Sequence, residues 1–196
     1  MFSVAAAHEE IRRRCVSHEG TDAVALAIAM MDAGVVRTHG PEHHYLTAAC
    51  LCAAWCNALG EDKAAHLERL LARCAKIPPA VCGYYGVCGD SMAAGACASE
   101  MLGAGHLSGA SWQQVNELTG RTQSAIAASC TRGPRCCKRT TFAVLAAASA
   151  WLRDTLGVPV AARGGLECPF YARNSECLGR DCVFFPAKRS QEVRHG

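Results

Sequence analysis

PEHHYLTAACLCAAWCNALG, residues 41–60, is the stretch on which the reading of the fold turns. Pro41 suits the first position of a helix, where its missing N–H would be unpaired in any case, and Gly60 suits a helix stop. The glutamate and the two histidines fall in the opening turns. The residues that follow are alanine, leucine and cysteine in an apolar run, so one helix is expected here. Its neighbours read the same way. HEEIRRRCVSHE (8–19) and DAVALAIAMMD (22–32) are short helical candidates, and EDKAAHLERLLARC (61–74) spaces Leu67, Leu70 and Leu71 as an amphipathic helix does. DSMAAGACASEMLGAG, from Asp90, predicts a helix capped by Asp90 or Ser91, with Ala93, Gly95, Ala96 and Ala98 small enough to let another backbone come close. Ser111 and Gln114 resemble a capping box for SWQQVNELTG, a further helix is expected over 122–130, and KRTTFAVLAAASAWLRDTLG predicts a long buried helix ending near Gly157.

Aromatic residues make up only 6% of the chain, which favours helices packed through small side chains over an aromatic-rich sheet sandwich. The expected fold is therefore all-α: a compact, bundle-like helical domain with cysteine-bearing loops and an irregular C-terminal tail. N-terminal helices over 1–34 are expected to fold as one unit with a cysteine-rich helical domain over 35–186, followed by a disordered tail over 187–196. The net charge of +3 is modest and the basic residues are scattered, so a dedicated nucleic-acid surface is not required. SWQQVNELTGRTQSAIAAS can be drawn as a helix-turn-helix with Gly120 in the turn, but it offers only Arg121 as a strong base. No secretory signal is legible at the start, and no run approaches the ~20 apolar residues of a membrane span. A cytoplasmic protein without a membrane partner is expected. Thiols stay reduced in that compartment, so 14 cysteines ask for a use other than a disulfide framework.

The cysteines divide by neighbourhood. Cys50, Cys52, Cys56, Cys74 and Cys97 lie in helical stretches and read as small buried hydrophobes; Cys15 and Cys130 are ambiguous. Cys82, Cys88, Cys136, Cys137, Cys168, Cys177 and Cys182 lie in loops or at helix mouths, where turns can aim several thiols at one point. Cys88 and the Cys136–Cys137 pair each precede a helix, whose unpaired N–H groups should stabilise thiolates and lower their pKa. Lys138 and Arg139 add positive charge. These seven cysteines are the candidate ligands of one or two iron–sulfur clusters, with a 4Fe–4S cluster favoured; the alternative is zinc. The spacings match neither the dense ferredoxin run nor a zinc finger. Adjacent cysteines strain to share one ion, so Cys136 and Cys137 serve one site or two.

THGPEHHYL, residues 38–46, places His39, Glu42 and His43 at the mouth of a helix. Together they could hold a divalent metal, or one histidine could act as an acid or base near pH 6.5. If the domain is catalytic, His43 is the choice for proton transfer and Arg135 for an anionic substrate group. The bland reading makes His39 a cap and His43 or His44 a surface residue. Helix N-termini converging on one pocket would hold negative charge well.

HGPEHH at 39–44, CGYYGVCG at 82–89, GPRCCKR at 133–139 and ECPFYARNSECLGRDCVFF at 167–185 together resemble an uncharacterised cysteine-rich family, a domain of unknown function in anaerobic bacteria and archaea. The likeness runs from about residue 35 to 186. Members of that family are found attached to, or beside, radical or methyl-transfer enzymes that use S-adenosylmethionine, so the resemblance implies an anaerobic, metal-related setting without assigning a reaction. Neither C-x3-C-x2-C nor a glycine-rich nucleotide loop occurs in this chain. The function expected is iron–sulfur binding for electron transfer or for cluster-dependent small-molecule chemistry, with a redox or methyl-transfer partner protein and a small-molecule substrate as the corresponding partners. The alternative is handling or sensing of zinc, copper or nickel.

Overall fold

The computed structural model describes residues 2–129 and 133–186, so Cys130 and the expected tail over 187–196 lie outside the described residues. Among those described are α1 (Val4–Ser17), α2 (Ala23–Asp32), α3 (Glu42–Leu59), α4 (Ala64–Cys74), α5 (Val81–Tyr85), α6 (Gly89–Met101), α7 (Ala110–Ala128) and α8 (Cys137–Leu156), with two short 3-10 turns in the tail and no strand. The fold is all-α. Every residue of α3 from Tyr45 to Cys56 is buried, and a helix apolar on all sides needs cover on all sides. The cover comes from α1, α2, α4, α6 and α8, while α7 closes the far side against α6 and α8. Residues of α1 and α2 share this core with Phe142 and Trp151 of α8 and with Phe170 of the tail.

Small side chains set the spacing. A side chain at Gly95 would strike the Thr119 hydroxyl, so the Thr119 side chain of α7 lies directly on the α6 backbone, and Ser91 ties the two helices by donating to the Thr119 carbonyl at 3.0 Å. This contact explains one departure from expectation. α7 runs unbroken through Gly120, because Leu118 and Thr122 on either side are buried against α6. Packing there outweighs the ~1 kcal/mol that glycine costs inside a helix, and the helix-turn-helix reading falls with the missing turn.

The boundaries differ in instructive ways. Ser3 caps α1 by accepting from Ala6 N–H at 3.2 Å, so that helix begins well before residue 8. Pro41 stands just before the first helical residue, and Cys88 rather than Asp90 or Ser91 occupies the cap of α6. Ser111 caps nothing: its hydroxyl bonds the Ser108 carbonyl inside α7's first turn, and Gly109 stands at the cap. The glycine-rich loop over 76–89 contains the short α5. Gly60 and Gly157 end α3 and α8 in the left-handed conformation, as their positions predict. The tail after α8 is irregular and is pinned by aromatic contacts, Phe142 stacking on Phe170 and meeting Phe184 edge-on at 5.8 Å.

Candidate thiol site and adjoining chamber

α3, α6 and α8 pack against one another, and their first turns meet at one end of the bundle. Cys136 is the extended cap residue of α8 and Cys137 its first helical residue, so the backbone changes direction between the two thiols. They face different spaces.

Cys136 faces the tail. With Cys168, Cys177 and Cys182 it lines a small cavity of about 20 Å³, walled by Phe142, Phe170 and Phe184. Three of the four sulfurs have an N–H donor. Phe170 N–H reaches Cys168 Sγ and Gly179 N–H reaches Cys177 Sγ, both at 3.4 Å. The Asn174 amide stands 3.7 Å from Cys136 Sγ. A thiol accepts hydrogen bonds weakly and a thiolate well, so donors in this pattern prepare sulfur to carry negative charge. Burial pushes the Cys168 and Cys182 thiols up. Lys138 and Arg139 are buried beside them, Lys138 with its ammonium 4.6 Å above the Phe170 ring.

Cys137 faces a chamber of about 390 Å³, shared with Cys82, Cys88, His44, Asp90 and Arg135. That volume lies in the range of small-ligand pockets, roughly 300–1,000 Å³. Gly40 and Pro41 bring the mouth of α3 to its wall, Cys88 to Asp90 that of α6, and Cys137 to Thr140 that of α8, so the convergence of helix N-termini expected from sequence is present. Gly89 permits it, since a side chain there would collide with the His44 ring. The expected lowering of thiol pKa does not occur at Cys88 and Cys137. Burial, reinforced by the Asp90 carboxylate, pushes them up to about 12 and about 11, outweighing the helix ends. Arg139 reaches both the chamber and the tail cavity.

The histidine motif does not assemble a ligand set. Glu42 is fully buried and accepts from the backbone N–H, Nε and Nη2 of Arg37 at 2.8–3.0 Å; burial raises its pKa, but the Arg37 donors outweigh that and leave it below the usual value. His39 Nδ1 accepts from Cys137 N–H at 3.4 Å, and its Nε2 stands 3.1 Å from the Glu176 carboxylate without hydrogen-bond alignment. His43 is enclosed, with Nε2 3.0 Å from the Arg37 carbonyl and Nδ1 3.1 Å from Thr141 Oγ1, and burial lowers its pKa to about 4. It lines neither cavity. His44, which the sequence offers only as a surface residue, is the histidine on the chamber wall, and burial brings it down to about 4 as well. Arg135 does line the chamber, at its exposed rim. Among the described residues no three His, Cys, Asp or Glu side chains stand close enough to hold a single metal ion.

Sequence reasoning also missed Asp90 as more than a cap. It is fully buried, and its Oδ2 lies 2.7 Å from Thr140 Oγ1 and 3.2 Å from Thr141 Oγ1. Burial pushes its pKa up to about 6. Thr141 has one hydroxyl hydrogen and two claimants, Asp90 Oδ2 and His43 Nδ1. The Arg37 carbonyl can only accept, so neutral His43 carries its proton on Nε2 and takes the Thr141 hydrogen at Nδ1. Asp90 must then donate to Thr141, which requires it protonated. Between about pH 4 and pH 6 the pair holds that one proton and every bond in the chain can form.

No helix among the described residues is long and apolar enough to cross a membrane. No curated protein and no solved structure matches the chain. A family model covers residues 11–185, from α1 through the last cysteine of the tail, and the chain belongs to that family, a family of unknown function designated DUF5714.

Proposed function

We propose that the chain is an iron–sulfur protein in which Cys136, Cys168, Cys177 and Cys182 hold one cluster, serving small-molecule chemistry in the adjoining chamber. The observation that carries this reading is the set of four thiols on one cavity, three of them with an N–H group directed at the sulfur. Four cysteines are what a 4Fe–4S cluster takes, and hydrogen bonds to the sulfurs are among the features that tune one. Iron–sulfur is favoured over zinc on donor count, because seven loop cysteines exceed the four that one structural zinc takes. Buried Lys138 and Arg139 offset the cluster's negative charge. An electron carrier has no need of a ligand-sized space beside its cluster, so the chamber of about 390 Å³ favours small-molecule chemistry over simple carriage.

Iron and acid-labile sulfide analysis of anaerobically purified protein, with electron paramagnetic resonance after reduction, tests the reading. Iron with matching sulfide is expected, lowered in the Cys177→Ala/Cys182→Ala variant and unchanged in Cys52→Ala. A colourless protein retaining zinc, or iron unchanged by the tail substitutions, would overturn it.

A further inference from the structure

The chamber, like the tail cavity, gathers thiols from separate segments of the chain: Cys82, Cys88 and Cys137 all line it. Three long helices present their N-terminal ends, and Arg135 and Arg139 add two cations, set against burial and the single acidic group of Asp90. A second observation points independently to a ligand. Asp90, 1% exposed, lines the chamber, and its Oδ1 lacks a hydrogen-bond partner. The Thr47 hydroxyl is near enough to favour the carboxylate, yet it too finds no aligned partner.

We infer that this chamber is a second cofactor site, in which Cys82, Cys88 and Cys137 hold an iron–sulfur cluster by three thiolates and leave one iron without a protein thiolate, open to a small ligand. Three features select this occupant. The thiols are soft donors, which suits iron–sulfur clusters, zinc or copper(I). They are not gathered tightly enough for a single ion. The space of about 390 Å³ exceeds what an ion fills and leaves room beside a cluster for a small molecule. Arg135, at the rim, is placed to meet an anionic group on that molecule. The inference shares the chemistry of the tail site but not its ligands, so the two stand or fall separately.

The test is anaerobic reconstitution of the full chain with iron and sulfide. The expected stoichiometry is about eight irons per chain, two clusters of four. Cys82→Ala/Cys88→Ala should bring the count to about four and leave the resonance of the tail cluster, while Cys177→Ala/Cys182→Ala should bring it to about four and leave that of the chamber. Cyanide, as a small-ligand probe, should shift the resonance in the tail variant, which keeps the cluster with the open iron, and leave the chamber variant unmoved. Cys82→Ser alone, on the short surface helix α5, is the check on folding and should lose the same irons. An iron count unchanged in both chamber variants overturns the inference whatever the tail does. Iron unchanged in the tail variants alone overturns the earlier reading instead.

Discussion

His43 and Asp90 make opposite demands on pH, and replacing each in turn should expose them. Burial holds His43 at about 4 against an ordinary 6.5, so between those values the unfolded chain binds more protons and stability rises with pH. Burial holds Asp90 at about 6 against 3.8, so over that interval the folded chain binds more protons and stability falls with pH. At ~1.4 kcal/mol per pKa unit each displacement amounts to ~3 kcal/mol. The signs oppose and the windows overlap, so the two contributions nearly cancel in the native protein. Relative to native, His43→Gln should lose ~3 kcal/mol of stability as pH rises from 4 to 7, because only the Asp90 dependence remains. Asp90→Asn should gain a similar amount over the same range. His44, also held at about 4, acts equally in all three proteins and drops out of the differences. Urea unfolding of metal-free protein, followed by circular dichroism at half-unit steps of pH, measures this directly. Differences from native that are flat, or that slope the same way in both variants, would refute the opposite burial-driven shifts of His43 and Asp90.

Removing the Arg37 side chain leaves the Glu42 carboxylate buried with only a backbone donor; Arg37→Ala should cost ~1–3 kcal/mol in denaturant unfolding, and adding Glu42→Gln should recover part of it. Gly95→Val forces a side chain into the Thr119 hydroxyl and should destabilise by ~1–3 kcal/mol, seen as a lower thermal midpoint. Because burial keeps Cys88, Cys137, Cys168 and Cys182 protonated at neutral pH, cofactor uptake should release protons and strengthen from pH 6 to pH 8, measurable by calorimetry in buffers of different ionisation enthalpy. Cys136→Ser should deplete the tail site and spare the chamber, and Cys137→Ser the reverse, as read by iron content and resonance.

Much of the helix order was legible because punctuation and composition agree there: Gly60 and Gly157 do end helices, and the alanine–cysteine run of α3 is buried. What misled was local chemistry overruled by packing. Gly120 looks like a turn only if Leu118 and Thr122 have nothing to bury against, and the Ser111 capping signature fails because α7 already begins at Ala110, which puts Ser111 inside its first turn. The seven loop cysteines were separable from the buried ones by neighbourhood alone. Their division into two sets was not, because it depends on where the tail returns, and Phe170 and Phe184 docking on Phe142 is a long-range event with no local spacing to announce it. His43 was misjudged for a related reason. Helical phase places it and His44 on different faces, and only the position of α8 decides which face is sealed by Thr141 and which looks into the chamber.

The adjacent cysteines that strain a single-site reading are explained by where the helix begins. An extended cap residue followed by a helical one sends successive side chains to different sides of the backbone, so a vicinal pair at a helix mouth can serve two spaces without distortion. Cys136 and Cys137 do so, and one peptide bond is the covalent distance between the tail cavity and the chamber. Arg139, in the first turn of the same helix, reaches both spaces, its Nη2 donating to the Pro134 carbonyl at 3.1 Å and its Nε buried without a partner. A buried cation between two thiol sets favours negative charge in each, so if both proposed cofactors bind, filling one changes the electrostatic cost of filling the other through Arg139.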